Sequence, residues 1–190
     1  MTHEAIKKTE LQAEMLRNRV HKRFKYLKKW AKRIGTDAFR IYNRDIPEIP
    51  LLLDYYGNAV SGALYERPYE KDSKEETRWL TAMRKAISSA LEIPESNIFL
   101  KERKRQRGKA QYEKNDKKAF WTEVREGGLR FRVNLSDYID TGLFLDRRKM
   151  RSVIQKEAEG KKILNLYAYT SSFSLYAAKG GATEIDSVDL

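Results

Sequence analysis

The sequence has no cysteine, which removes disulfides, thiolate metal sites and cysteine nucleophiles from these residues. Histidine is almost as scarce. His3 and His21 lie far apart on or beside a polar helix, and no His, Asp and Glu cluster has metal-ligand spacing, so no metal site is expected. No run approaches the roughly 18 to 20 apolar residues that a membrane-spanning helix needs. Met1-Thr2-His3-Glu4 opens no apolar signal segment. Glycine is never arranged as a phosphate-binding loop. These absences point to a cytoplasmic protein with no membrane partner. Its 190 residues give room for one medium domain or two small ones.

What is abundant is positive charge. The net charge is +12, and it is concentrated. From Met15 to Thr36 there are nine Lys or Arg and no acid; from Lys101 to Lys118 there are nine against three acids. The rest of the chain is therefore slightly acidic. Concentration of this kind suits a polyanion-binding surface, and nucleic acid is favoured over mere solubility.

The first segment reads as one long helix over residues 4–34. Val20, Phe24, Leu27, Ala31 and Ile34 fall on one face, Gly35 is a stop, and the opposite face is wholly basic. Such a helix can dock on its own protein with cations outward, lie on a membrane, or serve as a calmodulin-like target. Strands are expected at 38–42, 51–56 and 59–65, the last two flanking the hairpin turn Gly57-Asn58. An amphipathic helix covers 73–91, with Ser73 as its N-cap and Glu76 completing a capping box. A strand at 97–102 follows. A basic loop then spans 101–118, and a second hairpin, 119–125 and 129–135, turns at Gly127-Gly128.

After Leu135 the pattern changes to helix (146–158), buried strand (162–166), helix (172–179) and strand (185–190), the opening of a parallel sheet. The division expected is a basic helix at 1–36, a small α+β domain at 37–135, and the start of an α/β domain at 136–190. An apolar strand runs into a tight turn and a helix, and an acid, Asp189, follows about 23 residues beyond Leu166. In nucleotide-binding α/β folds an acid so placed accepts ribose hydroxyls. The turn lacks the Gly-x-Gly-x-x-Gly series, so spacing alone leaves open an ordinary βαβ unit.

The stretches FRVNLSDYIDTGLFLDRR (131–148) and ILNLYAYTSSFSLYAAKGGA (163–182) resemble the large-subunit rRNA methyltransferase family, most of all the guanine-N7 methyltransferases of 23S rRNA that form the K half of a fused bacterial enzyme. The family pattern Asp-Thr-Gly-Leu-Phe-Leu-Asp-x-Arg is matched from Asp140 to Arg148. The pattern Asn-Leu-Phe/Tyr-x-Tyr-Thr-Gly is matched at Asn165, Leu166, Tyr167, Tyr169 and Thr170, with Ser171 where the family has glycine. The basic loop and the first helix are also similar, so the resemblance covers roughly residues 17–190.

The resemblance implies a Rossmann-like methyltransferase domain, incomplete in this chain, with S-adenosylmethionine as cofactor and 23S rRNA or a large-subunit precursor as partner. Asn165 to Ser171, with Tyr167, Tyr169 and Thr170, would form the cofactor-facing turn, and Asp189 would hold the ribose. Thr141, Phe144, Asp146 and Arg148 would contact or brace the methionine end. Arg103, Lys104, Arg105, Arg107 and Lys109 on the loop, and Lys28, Lys29 and Lys32 on the helix, would take phosphates. The family's catalytic Asp-Pro-Pro loop would lie beyond Leu190, so no catalytic residue is expected here and these residues alone should transfer no methyl group. The rival readings are a cytosine-C5 rRNA methyltransferase and a non-catalytic RNA-binding module.

Overall fold

A computed structural model describes residues 3–65, 72–103 and 119–189. Helix α1 (His3–Arg33) contains no glycine or proline. It ends in a Schellman motif: Gly35 takes φ +68°, its N–H donates to Lys32 O (3.3 Å), and the Thr36 N–H donates to Ala31 O (3.0 Å). Leu16, Val20 and Ala31 are buried, and Phe24 and Leu27 pack against the core. Ile34, expected on that face, is exposed because the helix closes one residue earlier.

Four strands form the main sheet in the order β1 (Ala38–Asn43), β2 (Leu51–Tyr56), β3 (Ala59–Tyr65), β4 (Ile98–Arg103). The first two pairings are antiparallel. The β3–β4 pairing is parallel and is bridged by α2 (Ser73–Leu91). Period-two alternation sorts each strand. Phe39, Ile41, Leu51, Leu53, Val60 and Ile98 face α1 and α2 in one core. Ala38, Tyr56 and Ala59 face a second core with Val124, Phe131, Val133 and Leu135. The cap of α2 is Asp72, whose side chain accepts from the Lys74 N–H at 3.2 Å. Ser73, expected in that role, is already helical.

The second core comes from hairpin β5 (Trp121–Glu126) and β6 (Leu129–Asn134). It is stitched to the chain after α1 by a Thr36–Glu126 bridge and by Arg125 N–H to Asp37 Oδ1 at 2.7 Å. Next come a 3-10 turn at Leu145–Arg147, α3 (Arg148–Glu157), β7 (Lys162–Leu166), α4 (Ser172–Lys179) and β8 (Glu184–Val188). The expected helix at 146–158 is thus shorter and begins with a tighter turn. β7 and β8 are parallel. β7 is not the buried strand expected: Leu164 and Leu166 are 62% and 57% exposed. Asn165 binds α4, whereas among the described residues no element covers the face carrying the two leucines. Gly180 permits close α3–α4 packing, since a Cβ there would lie 2.1 Å from Gln155 O.

Candidate cofactor and RNA site

The turn after β7 has an unusual backbone. Tyr167, Tyr169 and Ser171 all have positive φ, at 55°, 51° and 55°. Non-glycine residues there are strained, and such strain clusters at functional sites. The turn is fixed by contacts from three directions. The Ala168 N–H donates to Val188 O at 3.0 Å. The Tyr169 N–H donates to the Asp189 carboxylate. Thr170 Oγ1 donates to Gly142 O at 2.6 Å. Phe144 and Tyr169 rings meet at 5.4 Å. The two motifs seen in the sequence, 140–148 and 165–171, are therefore one structural unit.

Within it the residues divide. Tyr167, Tyr169 and Phe144 are exposed aromatics. Thr141 Oγ1 and Tyr56 OH share a 2.9 Å hydrogen bond, tying the loop to β2. Asp146 is exposed. Asn165 Nδ2 donates to Ser174 Oγ at 2.8 Å and so pins α4 to β7. Arg148, expected to contact or brace the methionine end, is bonded into the fold. Its Nε donates to Glu126 Oε2 at 2.6 Å, another nitrogen donates to Ala38 O, and its guanidinium lies 5.5 Å over Trp30. These bonds commit it to holding the fold together.

The partners of Glu126 went unnoticed in sequence. Arg151 donates to Glu126 Oε1 through Nε (2.9 Å) and Nη2 (2.6 Å), and Tyr176 OH donates to the same oxygen at 3.0 Å. Glu126 and Arg151 are fully buried. Burial and the Glu126 charge raise the Tyr176 phenol to about 12, so it stays a donor at neutral pH. This clamp joins β5, α3 and α4 and sets the motif loop against the turn. The available signal was an acid in phase with buried Val124 on β5.

On α1, Lys28, Lys29 and Lys32 are exposed, and Lys28 Nζ sits 5.6 Å over the Phe24 ring. Arg103 ends β4. Lys104, Arg105, Arg107 and Lys109 lie outside the described residues. No described helix is long and apolar enough to cross a membrane.

The model of the S-adenosylmethionine-dependent methyltransferase family matches residues 39–190. The chain belongs to that family. It is 46% identical over 177 residues to the Ribosomal RNA large subunit methyltransferase K/L of Pseudomonas fluorescens, covering 93% of this chain and 24% of that protein. The corresponding protein of Pseudomonas entomophila is 47% identical over 179 residues, with 94% and 24% covered. The chain thus spans about a quarter of the length of these relatives. Among solved structures, a methyltransferase complexed with SAH superposes at TM-score 0.62 with 26% identity, covering 92% of this chain and 44% of that one. A SAM-dependent methyltransferase from Streptococcus mutans does so with the same score and identity, covering 92% and 45%.

Ser171 bears the cost of the non-glycine turn. It sits at φ 55°, ψ 28° and makes no side-chain cap bond. Relief of αL strain, about 1–2 kcal/mol, should outweigh the extra unfolded-chain entropy of glycine, about 0.4–1 kcal/mol. Ser171→Gly should therefore raise stability by roughly 0.5–1 kcal/mol in urea denaturation. A destabilised variant would mean that the hydroxyl has a role the geometry does not give it.

Proposed function

We propose that this chain is the RNA-facing part and cofactor-entry portion of an S-adenosylmethionine-dependent methyltransferase acting on 23S rRNA, with guanine N7 as the target. The observation carrying it is the joining of the motif loop to a strained turn at the carboxyl end of a parallel strand, with Asp189 bonded into that turn. Ligands in open α/β sheets bind at that end of the strands. The donor set fits the cofactor: Phe144 and Tyr169 offer ring surface, the turn offers backbone, and Asp189 is the acid that suits a ribose. Bound S-adenosylmethionine would supply an electrophilic methyl on its sulfonium. The chain's own contribution is placement. Thr170 and Thr141 hold the loop to the turn and to β2, and the exposed aromatic residues offer rings that a bound group would cover. Guanine N7 is already nucleophilic, so attack needs no general base. A target in paired RNA must first be unstacked. An rRNA substrate would suit a cytoplasmic protein.

Titration with S-adenosylmethionine, followed by amide chemical shifts, should move Tyr169, Thr170, Ser171 and Asp189 and leave α2 silent. Asp189→Ala should abolish the response. If no amide of the turn moves at millimolar cofactor, these residues do not form the cofactor site and the RNA-facing role becomes the better account of this chain.

The exposed lysines of α1 support the RNA partner. Each phosphate contact contributes roughly 0.7 to 0.9 to the salt slope of binding. Replacing Lys28, Lys29 and Lys32 together by glutamine should flatten the slope for a large-subunit rRNA fragment by about 2. An unchanged slope would place the anchor elsewhere.

A further inference from the structure

The face of the main sheet turned away from α1 and α2 is only partly covered by the second core. Among the described residues the remainder is a polar cavity of about 290 Å³ between β1–β4 and the loop 139–146. Its size sits at the small end of ligand pockets, enough for one base-sized group. Three features describe what would fit.

The first is charge. The lining carries Asp54, Glu102, Asp140 and Asp146 against Arg40 and Lys101. Arg40 is already bidentate on Asp54, at 2.8 and 3.1 Å. Lys101 is buried and donates to Tyr138 O. Burial lowers the Lys101 ammonium to about 8, with Asp137 and Asp140 opposing that shift. Asp54 is raised by burial against the pull of Arg40. A phosphate would enter a net acidic lining and is disfavoured, whereas a neutral group bearing N–H donors is favoured.

The second feature is flat ring surface. Tyr65 lines the cavity and is backed by the Arg44 guanidinium 4.6 Å from its ring. Phe144 lines it from the loop and is 43% exposed. Aromatic walls of this kind receive unstacked bases. The third is connection. The same loop that lines the cavity is bonded to the β7–α4 turn through Gly142 and Thr170 and brings Thr141, Phe144 and Asp146 into the lining, so an occupant would share this loop with the cofactor.

We propose that this cavity takes one unstacked nucleobase of the RNA strand by an amino-bearing edge, with Asp140 as an acceptor and Tyr65 and Phe144 as ring walls. The inference rests on the reading of RNA as substrate. It sorts the bases: guanine, adenine and cytosine have an exocyclic amino group, and uracil has none.

The test uses the whole chain, isotopically labelled, with GMP, AMP, CMP, UMP, inorganic phosphate and S-adenosylmethionine in separate titrations. GMP should shift the amides of Ser61, Gly62, Lys101 and Thr141. UMP should bind about tenfold more weakly, the value of one charge-assisted hydrogen bond. Asp140→Asn, at an exposed loop position, should cost GMP about tenfold with the remaining spectrum unchanged. Equal binding of GMP and UMP with no effect of Asp140→Asn overturns the proposal. So does reproduction of the shifts by phosphate alone. Shifts at Ser61 and Lys101 caused by S-adenosylmethionine overturn it too, by making the cavity part of the cofactor site. The cofactor-site reading is scored separately, at Tyr169 to Ser171 and Asp189. A silent turn beside a responding cavity sinks that reading and leaves the base pocket standing.

Discussion

Replacing Glu126 by alanine is expected to cost on the order of 3 to 5 kcal/mol of folding stability, measured by urea denaturation. The reason is what remains. Arg151 is fully buried and makes two of its hydrogen bonds to Glu126. Arg148 and Tyr176 lose the same acceptor. Without the carboxylate a buried guanidinium keeps only its bond to Phe144 O at 2.9 Å. Against a total stability of roughly 5–15 kcal/mol for a domain, this loss is a large share. Arg148→Ala should cost less, because Arg148 is partly exposed and its removal leaves Glu126 paired to Arg151 and Tyr176. The consequence reaches the site, since α3 and α4 flank the motif loop and the turn. If Glu126→Ala unfolds within about 1 kcal/mol of the parent, the buried charge is relieved by another group and the clamp is not what joins the hairpin to α3 and α4.

The elements legible in sequence are those whose information is local. The periodicity of Val20, Phe24, Leu27 and Ala31 announced α1. Gly57-Asn58 and Gly127-Gly128 announced their hairpins because φ > 0 turns select such residues. The mixed α/β character also followed from pattern, and the solved methyltransferase structures agree with it. Non-local features were hidden. Whether Asp72 or Ser73 caps α2 depends on one residue of phase. The motif that carries Arg148 is local, but the partners of Arg148 in the fold, Glu126 and Ala38, are 22 and 110 residues away. The cavity lining comes from four strands and a loop, with no spacing that brings Arg40, Asp54, Ser61 and Lys101 together in advance. The joining of the two motifs through Thr170 and Gly142 was likewise absent from either motif taken alone. Ser171 stands where the family has glycine, and its backbone is left-handed, the conformation that glycine adopts without strain.

Truncating Trp79 to alanine should cost about 3 to 5 kcal/mol, the range for a buried tryptophan, and should also weaken the hold on the basic helix. Trp79 is buried at the α1–α2 contact, and its indole Nε1 donates to Gln12 Oε1 at 2.7 Å. Gln12 is itself buried, so the truncation both opens a cavity and strands an amide. Trp79→Phe separates the two effects. It keeps most of the ring volume and loses only the indole donor, at a cost of about 1 to 3 kcal/mol for the unsatisfied amide. Helix α1 presents Lys28, Lys29 and Lys32 as a rigid row only while Leu16, Val20 and Ala31 stay seated in the shared core. Both tryptophan variants should therefore bind a large-subunit rRNA fragment more weakly in the order of their stability losses. The salt slope should stay close to the parent's, because the charges remain while their spacing loosens. RNA affinity that ignores both substitutions would show that the lysines act as a flexible polycation, and that packing of α1 against α2 serves stability alone.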